Sequence, residues 1–330
     1  MADPSQTTVG INRQRWLQVF VGLLIAIFIF YLLVSSINWR ATVLALKQAN
    51  LWWVLAALAS IFINGVAKSQ RWRTLFPPAQ PPPSSSETFG ILMAGQVVNF
   101  VLPLRSGDIF RAYFAGRDRG ASTASVFGTI GAEKLVDVIL VGLAAALVLP
   151  LVVLPSWVNA DGSQVGFVSL VATAGWLGLV LALPAINRIL ARWGKRSTLS
   201  ARLSGIVQRL LDGLTALREW RRLPVLLLWT AAVWGTAITT NLLLFRALDL
   251  PPNLLNAVLV LIFIYGGVSI PVTPGQLGVF EGMTVLALSL VGVDPAIALA
   301  YALLLHGLVL LLPAVFGGLW LYRRSRSTAG

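Results

Sequence analysis

The sequence predicts an all-α polytopic membrane protein. This prediction rests on its composition, its apolar stretches and the placement of its cations. Hydrophobic residues make up 57% of the 330 residues and charged residues only 11%, whereas a soluble domain is about half apolar and about a quarter charged. Several apolar stretches approach the ~20 residues that a membrane-spanning helix needs. The cations collect between these stretches, so cytoplasmic loops explain the net charge of +13 without nucleic acid as a partner.

The composition also excludes several kinds of site. The chain has no cysteine, which removes disulfides, thiolate catalysis and cysteine-bound metals. Its single histidine, His306, argues against a histidine-based metal site. The sequence shows no arrangement of nucleophile and base and no glycine-rich phosphate loop. We therefore expect neither an enzymatic activity nor a cofactor.

Six apolar stretches have the character of spanning helices, and two further stretches are interrupted by helix breakers. The expected spans are 16–37, 51–66, 123–150, 166–186, 223–245 and 295–322. The interrupted stretches are 88–103, which ends at a proline, and 254–293, which contains two prolines near its middle.

The positive-inside rule orients these segments. Both termini and the segment 187–222, which carries nine Arg or Lys, are expected in the cytoplasm. The same holds for the basic cluster that follows the second span, Lys68, Arg71 and Arg73. A complete crossing by 88–103 would put the segment 187–222 outside. We therefore predict that 88–103 enters from the cytoplasm, turns near Arg105–Asp108 and returns as a re-entrant hairpin.

The stretch 254–293 is predicted to form a second re-entrant hairpin, entering from the outside. Two full spans in this stretch give the same topology and stay open as an alternative. With the hairpin, a single membrane domain, 1–330, contains an inverted repeat of 16–154 and 166–322. Each half has three spans and one hairpin, or about eight membrane segments in total. Inverted repeats whose broken helices meet near the midplane are typical of transporters.

The segment between the two halves is predicted to form a cytoplasmic amphipathic helix at about 197–219, because apolar residues recur there at helical spacing.

The first interrupted stretch places several charges in an apolar region, where charge is costly and therefore suggests function. Pro103 and Gly107 favour a turn, while Arg105 and Arg111 leave excess positive charge beside Asp108. Arginine suits bidentate binding of phosphate, so the pattern predicts that a lipid phosphate is held here. A structural cluster of ion pairs that fixes the hairpin is the alternative.

Two carboxylates on the third span, Glu133 and Asp137, lie one helical turn apart with Lys134 beside them. Like charges at this spacing repel one another. We expect a cation such as Arg105 or Arg111 to face them in the same charged cavity, and partial solvation at the membrane surface is the alternative.

The second interrupted stretch has one carboxylate, Glu281, after a run of helix breakers. The breakers are Pro271, Pro274, Gly275 and Gly278. Glu281 is predicted to face the Arg105 group as a counter-charge, to cap backbone amides that the breaks expose, or to do both. On the last span, His306 is expected to pack or to form a hydrogen bond between helices.

Three groups of residues together resemble the membrane region of lysylphosphatidylglycerol synthases and their stand-alone relatives. The first is Asn99-x-x-x-Pro103-x-Arg105-x-Gly107-Asp108-x-x-Arg111. The second is Glu133-Lys134-x-x-Asp137, and the third is Pro271-x-x-Pro274-Gly275-x-x-Gly278-x-x-Glu281. The similarity covers about residues 15–322. One departure is Gln276, where relatives commonly have glycine.

The resemblance implies a multi-pass flippase or scramblase of the bacterial inner membrane, which moves a phosphate-bearing lipid between leaflets, such as an aminoacylated phosphatidylglycerol. The chain ends after its last span, so aminoacyl transfer is not expected. A translocator of polyprenyl phosphates or glycolipids, and a non-transporting scaffold for a lipid-modifying enzyme, remain alternatives. Membrane lipids and a lipid-modifying enzyme are the expected partners. The predicted substrate-binding residues are Asn99, Arg105, Asp108, Arg111, Glu133, Lys134, Asp137 and Glu281.

Overall fold

The computed structural model describes residues 37–77, 81–102, 105–117, 122–152, 219–268 and 273–327, with a few single helical positions between 167 and 208. Regular structure in these ranges is helical, with no strand, which confirms the all-α prediction. The predicted spans 16–37 and 166–186 and the amphipathic helix at about 197–219 lie almost wholly outside the described residues, as do Pro103 and Pro271.

The described helices follow one another in the order in which we number them. They are α1 (Trp39–Gln48), α2 (Leu51–Thr74), α3 (Ser85–Val101), α4 (Ser106–Arg117), α5 (Thr123–Val148), α6 (Leu223–Ala247), α7 (Leu254–Val268), α8 (Val279–Ser289) and α9 (Pro295–Ser327).

Four of these helices, α2, α5, α6 and α9, are long and apolar enough to cross a membrane. They correspond to four of the six predicted spans and begin at the predicted residues. A multi-pass membrane protein follows from them. The short helix α1 falls in a predicted loop, where Asn38 caps its first turn by accepting a hydrogen bond from the backbone N–H of Ala41.

The second span extends further than the sequence predicts. Helix α2 continues to Thr74 instead of ending at residue 66, so Lys68 and Arg71 belong to its last turns and not to a loop. Ala67, Ser69 and Arg71 are buried there against neighbouring helices. Lysine and arginine are good helix formers, and no breaker occurs until Pro77, so the backbone has no reason to stop earlier.

Helices α3 and α4 form a short antiparallel pair that packs at a glycine contact. A Cβ atom added to Gly107 would lie 1.8 Å from the carbonyl oxygen of Gly95, so only glycine allows this approach. The side-chain oxygen of Asn99 accepts a hydrogen bond of 2.7 Å from the Gly107 backbone N–H and closes the turn. Arg105, with φ of 52°, begins the second limb.

Helices α7 and α8 form a second short pair, and a 3-10 turn at Pro274–Gln276 precedes α8. Gly275, Gln276 and Gly278 all have positive φ, between 60° and 82°. The side chain of Gln276 thus occupies a left-handed conformation that favours glycine. A Cβ atom on Gly275 would lie 2.4 Å from the ring of Phe100, so this turn touches the end of α3.

Candidate functional site

A network of five buried charges connects α2, α4 and α5. Two Nη nitrogens of Arg71 donate to the two carboxylate oxygens of Asp137, at 2.7 and 3.0 Å. Arg111 donates to Glu133 at 2.7 Å. Longer ion pairs of 3.6 Å join Arg71 to Glu133 and Arg111 to Asp108. We call Arg71, Asp108, Arg111, Glu133 and Asp137 the charge network. Each is at most 8% exposed.

The geometry explains why α5 carries two carboxylates on one face. Their mutual repulsion would destabilise the helix if they stood alone. Each receives its own guanidinium, Asp137 from α2 and Glu133 from α4, and Arg71 lies within reach of both. A bidentate arginine–carboxylate pair is directional as well as strong, so it fixes how the three helices pack together.

Aromatic side chains surround the charge network. The Arg111 guanidinium lies 4.3 Å from the centre of the Trp72 ring, a cation–π distance. The indole N–H of Trp72 donates to the hydroxyl of Thr129 at 2.9 Å, which holds the ring in place. On the other side, the indole N–H of Trp234 donates to Asp137 at 3.4 Å.

A cavity of about 410 Å³ lies beside the charge network. Four members of the network, all but Arg71, line one end together with Lys68 and Lys134. Asn64, Gln96 and Asn99 add amide groups, and leucine, isoleucine and valine side chains line much of the remainder. A mainly apolar pocket with a few convergent polar groups is the usual form of a small-molecule site.

Both short helical pairs contribute to the wall of the cavity. Asn99 and Phe100 come from the end of α3, and Asp108 and Arg111 from α4. Gly275 and Gln276 come from the turn before α8, and Phe280 lies in its first turn. The cavity therefore lies where the two short helical pairs meet, and most of its charged residues come from α2 and α5.

Lys68 and Lys134 differ from the arginines in their surroundings. Both are half-buried and line the cavity. Within the described ranges, neither ammonium group lies within the 4.0 Å of a carboxylate that defines an ion pair. The carboxylates closest in sequence to Lys134, Glu133 and Asp137, already bind guanidinium groups.

Glu281 forms a separate polar cluster with His306. One carboxylate oxygen accepts a hydrogen bond of 2.7 Å from the Gly278 backbone N–H, which caps α8. The other lies 2.6 Å from Nδ1 of His306, whose ring stacks on Phe280. Glu281 is 3% exposed. Its partners are therefore a backbone amide and a histidine, which is the capping arrangement.

The remaining predicted residues occupy the turns. Asn99 closes the turn before α4 and also lines the cavity. Arg105 is half-buried at that turn and is not among the residues that line the cavity. Pro274 and Gly275 lie in the 3-10 turn, and Gly278 is the N-cap of α8.

Sequence reasoning missed Arg71 as a partner of Asp137 and Lys68 as a cavity residue. Their spacing gives the signal that identifies them. Asn64, Lys68 and Arg71 stand at i, i+4 and i+7, the repeat of a single helical face. The predicted end of the span at residue 66 falls inside this repeat, because the first charged residue after an apolar stretch resembles the end of a span.

Comparison with known proteins agrees with the three motif groups. Residues 19–317 match the model of a family described as the lysylphosphatidylglycerol synthase TM region. The chain belongs to this family. Among curated proteins, Glycosyltransferase AglD of Haloferax volcanii is 26% identical over 334 aligned residues, covering 91% of this chain and 53% of the relative. The chain thus spans about half the length of the curated relative that it matches.

The family membership confirms the resemblance inferred from the sequence. In the structure, the charged residues of its first two motif groups converge, because Arg111 binds Glu133. The third group meets the first at Gly275 and Phe100. The motifs of this family member are therefore parts of one region of the fold.

Proposed function

We propose that this member of the lysylphosphatidylglycerol synthase TM family moves a phosphate-bearing lipid between the leaflets of a membrane, as a flippase or scramblase. The observation that carries the proposal is the cavity of about 410 Å³ at the meeting point of the two short helical pairs. Its charged end suits a head group, and its apolar walls tolerate the start of an acyl chain.

The short pairs support a re-entrant arrangement. Helices α3, α4, α7 and α8 have 17, 12, 15 and 11 residues. At 1.5 Å per residue they measure roughly 17–26 Å, which is less than a hydrocarbon core of about 30 Å. We infer that each pair enters the bilayer, turns and returns to the side from which it came. Each turn then exposes non-helical backbone within the bilayer, which is tolerated only where protein or a cavity surrounds it. The cavity at the two turns meets this condition.

The topology that we propose is the inverted repeat with cytoplasmic termini in the inner membrane of a bacterium. The two hairpins enter from opposite faces and meet at Phe100 and Gly275. A head group in the cavity then lies near the midplane, while its acyl chains remain in the lipid. Transport needs only that access alternates between the two faces of this site.

Reconstitution of the purified full-length protein tests the proposal. Vesicles with a fluorescent phosphatidylglycerol in both leaflets are treated with a membrane-impermeant reductant, and exchange is measured as loss of the protected signal. Gln96→Trp fills the cavity, because Gln96 is part of its lining, and is expected to slow exchange at least tenfold. Gln48→Trp, at an exposed position of α1, is the matched control.

The proposal fails if wild-type vesicles exchange lipid no faster than protein-free vesicles. It also fails if Gln96→Trp and Gln48→Trp exchange equally fast. A protein without exchange activity that co-purifies stoichiometrically with a lipid-modifying enzyme would support the scaffold function in its place.

A second candidate function is translocation of a polyprenyl phosphate or another glycolipid. The relative Glycosyltransferase AglD favours it, because a protein named for sugar transfer has reason to carry a membrane region that handles sugar-bearing lipids. The same vesicles with a fluorescent polyprenyl phosphodiester sugar decide between the two. Faster exchange of this probe than of phosphatidylglycerol would favour the second candidate.

A further inference from the structure

The two lysines of the cavity, Lys68 and Lys134, supply positive charge that is not already paired with a carboxylate. Arg71 and Arg111 are committed to carboxylates at 2.7–3.0 Å, and Arg71 does not line the cavity. Lys68 and Lys134 do line it and have no carboxylate within ion-pair distance in the described part of the chain. An anion that enters the cavity thus finds two ammonium groups without a carboxylate partner. The Nε of Arg111 also has no hydrogen-bond partner, but this atom is buried, so the lysines are the more accessible donors.

The charge network and the two cavity lysines, counted without the separate Glu281–His306 pair, leave an excess of one. The cations are Lys68, Arg71, Arg111 and Lys134, and the carboxylates are Asp108, Glu133 and Asp137. Four positive charges against three negative charges leave one positive charge, in a region where uncompensated charge is expensive. A ligand with a single negative charge neutralises the cavity.

A phosphodiester has this charge. A phosphate monoester carries about −1.5 to −2 at neutral pH and would leave the cavity negative. A lysyl-esterified phosphatidylglycerol, with two ammonium groups and one phosphodiester, is a net cation and would add to the positive excess. The carboxylates already have arginine partners, so they do not add a new negative charge for its ammonium groups.

We propose that Lys68 and Lys134 form a binding site for one phosphodiester monoanion, so that the lipid handled is an unmodified anionic phosphodiester lipid and not its aminoacylated form. This inference rests on the proposed function and names its substrate class. Lys68 on α2 and Lys134 on α5 reach the phosphate from two helices that the charge network holds together. The arginines position these helices and leave the phosphate to the lysines.

Competition binding tests the site without requiring transport. The full-length protein in neutral detergent is loaded with a fluorescent phosphatidylglycerol. Phosphatidylglycerol, lysyl-phosphatidylglycerol, phosphatidic acid and soluble glycerophosphoglycerol then compete with the probe. We expect phosphatidylglycerol to displace it at a concentration about tenfold below that of each of the other three. Equal potency of the soluble diester would show a site for water-soluble phosphodiesters and overturn the lipid assignment.

Substitutions of the lysines provide the second arm. Lys68→Gln and Lys134→Gln are each expected to weaken phosphatidylglycerol binding about tenfold, since each removes one charge-assisted hydrogen bond. Lys47→Gln, an exposed position on α1, is the matched control and is expected to bind like wild type. Lys68→Arg and Lys134→Arg keep the charge and are expected to retain binding within about threefold, which shows that loss is not misfolding.

The double variant Lys68→Gln/Lys134→Gln gives the sharpest result. Its cavity carries one net negative charge, so we expect it to prefer lysyl-phosphatidylglycerol to phosphatidylglycerol. A double variant that binds phosphatidylglycerol as wild type does, or a wild type that prefers the lysyl or monoester lipid, would overturn the inference.

Leaflet exchange in vesicles separates this inference from the proposed function. Selective binding of phosphatidylglycerol without exchange would remove the transport function and leave the binding site. Exchange without selectivity for the phosphodiester would remove the binding site and leave the transport function.

Discussion

Arg71 and Asp137 form a bidentate ion pair across 66 positions of sequence, and both side chains are buried. Breaking a buried pair by removing one partner leaves an uncompensated charge, which costs about 3–5 kcal/mol. We predict that Arg71→Ala lowers the free energy of unfolding by this amount, measured by denaturant titration in mixed micelles. Arg40→Ala, at an exposed position of α1, is the control and is expected to change it by less than about 0.5 kcal/mol.

The double variant Arg71→Met/Asp137→Leu tests whether the loss comes from the orphaned charge. Apolar replacements of similar volume often recover the stability of a buried pair. The double variant is therefore expected to unfold closer to wild type than Arg71→Ala does. Equal losses in both variants would contradict this account.

The contact of Gly107 with Gly95 predicts a severe effect of a single methyl group. A Cβ atom at Gly107 would lie 1.8 Å from a backbone oxygen, which no rotamer can relieve, so α3 and α4 must separate. We expect Gly107→Ala to cost about 3 kcal/mol or more and to broaden the unfolding transition. Gly318→Ala is the matched control, because nothing lies within 4 Å of the added atom. A wild-type transition for Gly107→Ala would show that the helices are not in contact.

The starts of the spans could be predicted from the sequence, and their ends could not. Helices α2, α5, α6 and α9 begin where the apolar stretches begin, because caps and prolines mark helix starts locally. Asn50 accepts a hydrogen bond from the N–H of Trp52, and Pro295 is the first residue of α9. No comparable signal ends α2, because a lysine or arginine continues a helix as readily as a leucine does.

The members of the candidate site were predicted better than their pairing. Arg111, Glu133 and Asp137 could be identified because each places a charge in an apolar region. The free-energy cost of such a charge is visible in the sequence whichever residue is its partner. The partner does depend on which helices pack together. Asp137 binds Arg71 of α2, which looked like a loop residue, and Glu281 binds His306. Long-range packing decides such pairs.

The two hydrogen bonds of Glu281 predict an order of effects. Glu281→Ala removes the cap of α8 and also leaves buried His306 without its carboxylate, with expected costs of about 1 kcal/mol and about 1–3 kcal/mol. His306→Ala removes only the second contact and is expected to cost less. Thermal unfolding in detergent measures both. Asp294→Ala, an exposed cap of α9, is expected to lose only the cap energy. A larger loss for His306→Ala than for Glu281→Ala would contradict the capping role.

The absence of cysteine allows a direct test of the second hairpin with single-cysteine variants. Leu277 lies in the turn before α8 and is 47% exposed, which suits lipid contact. A re-entrant hairpin places this turn within the bilayer, so Leu277→Cys is expected to resist an impermeant maleimide from both sides. Two full spans would place it at the cytoplasmic face, and labelling from that side would rule out the hairpin. Lys47→Cys and Ser86→Cys, both exposed, are the expected outside and inside controls.

The separation of Arg71 from Asp137 also bears on biosynthesis. At about 5–20 residues per second, the ribosome needs roughly 3–13 s to advance the 66 positions from Arg71 to Asp137. During this interval the charge of Arg71 has no carboxylate on α5 to neutralise it, and a lone arginine at depth is costly. We therefore expect the charged end of α2 to stay in contact with water until α5 has been made. The ion pair can therefore form only after α5 has been made, and we expect α2 and α5 to pack together at that stage.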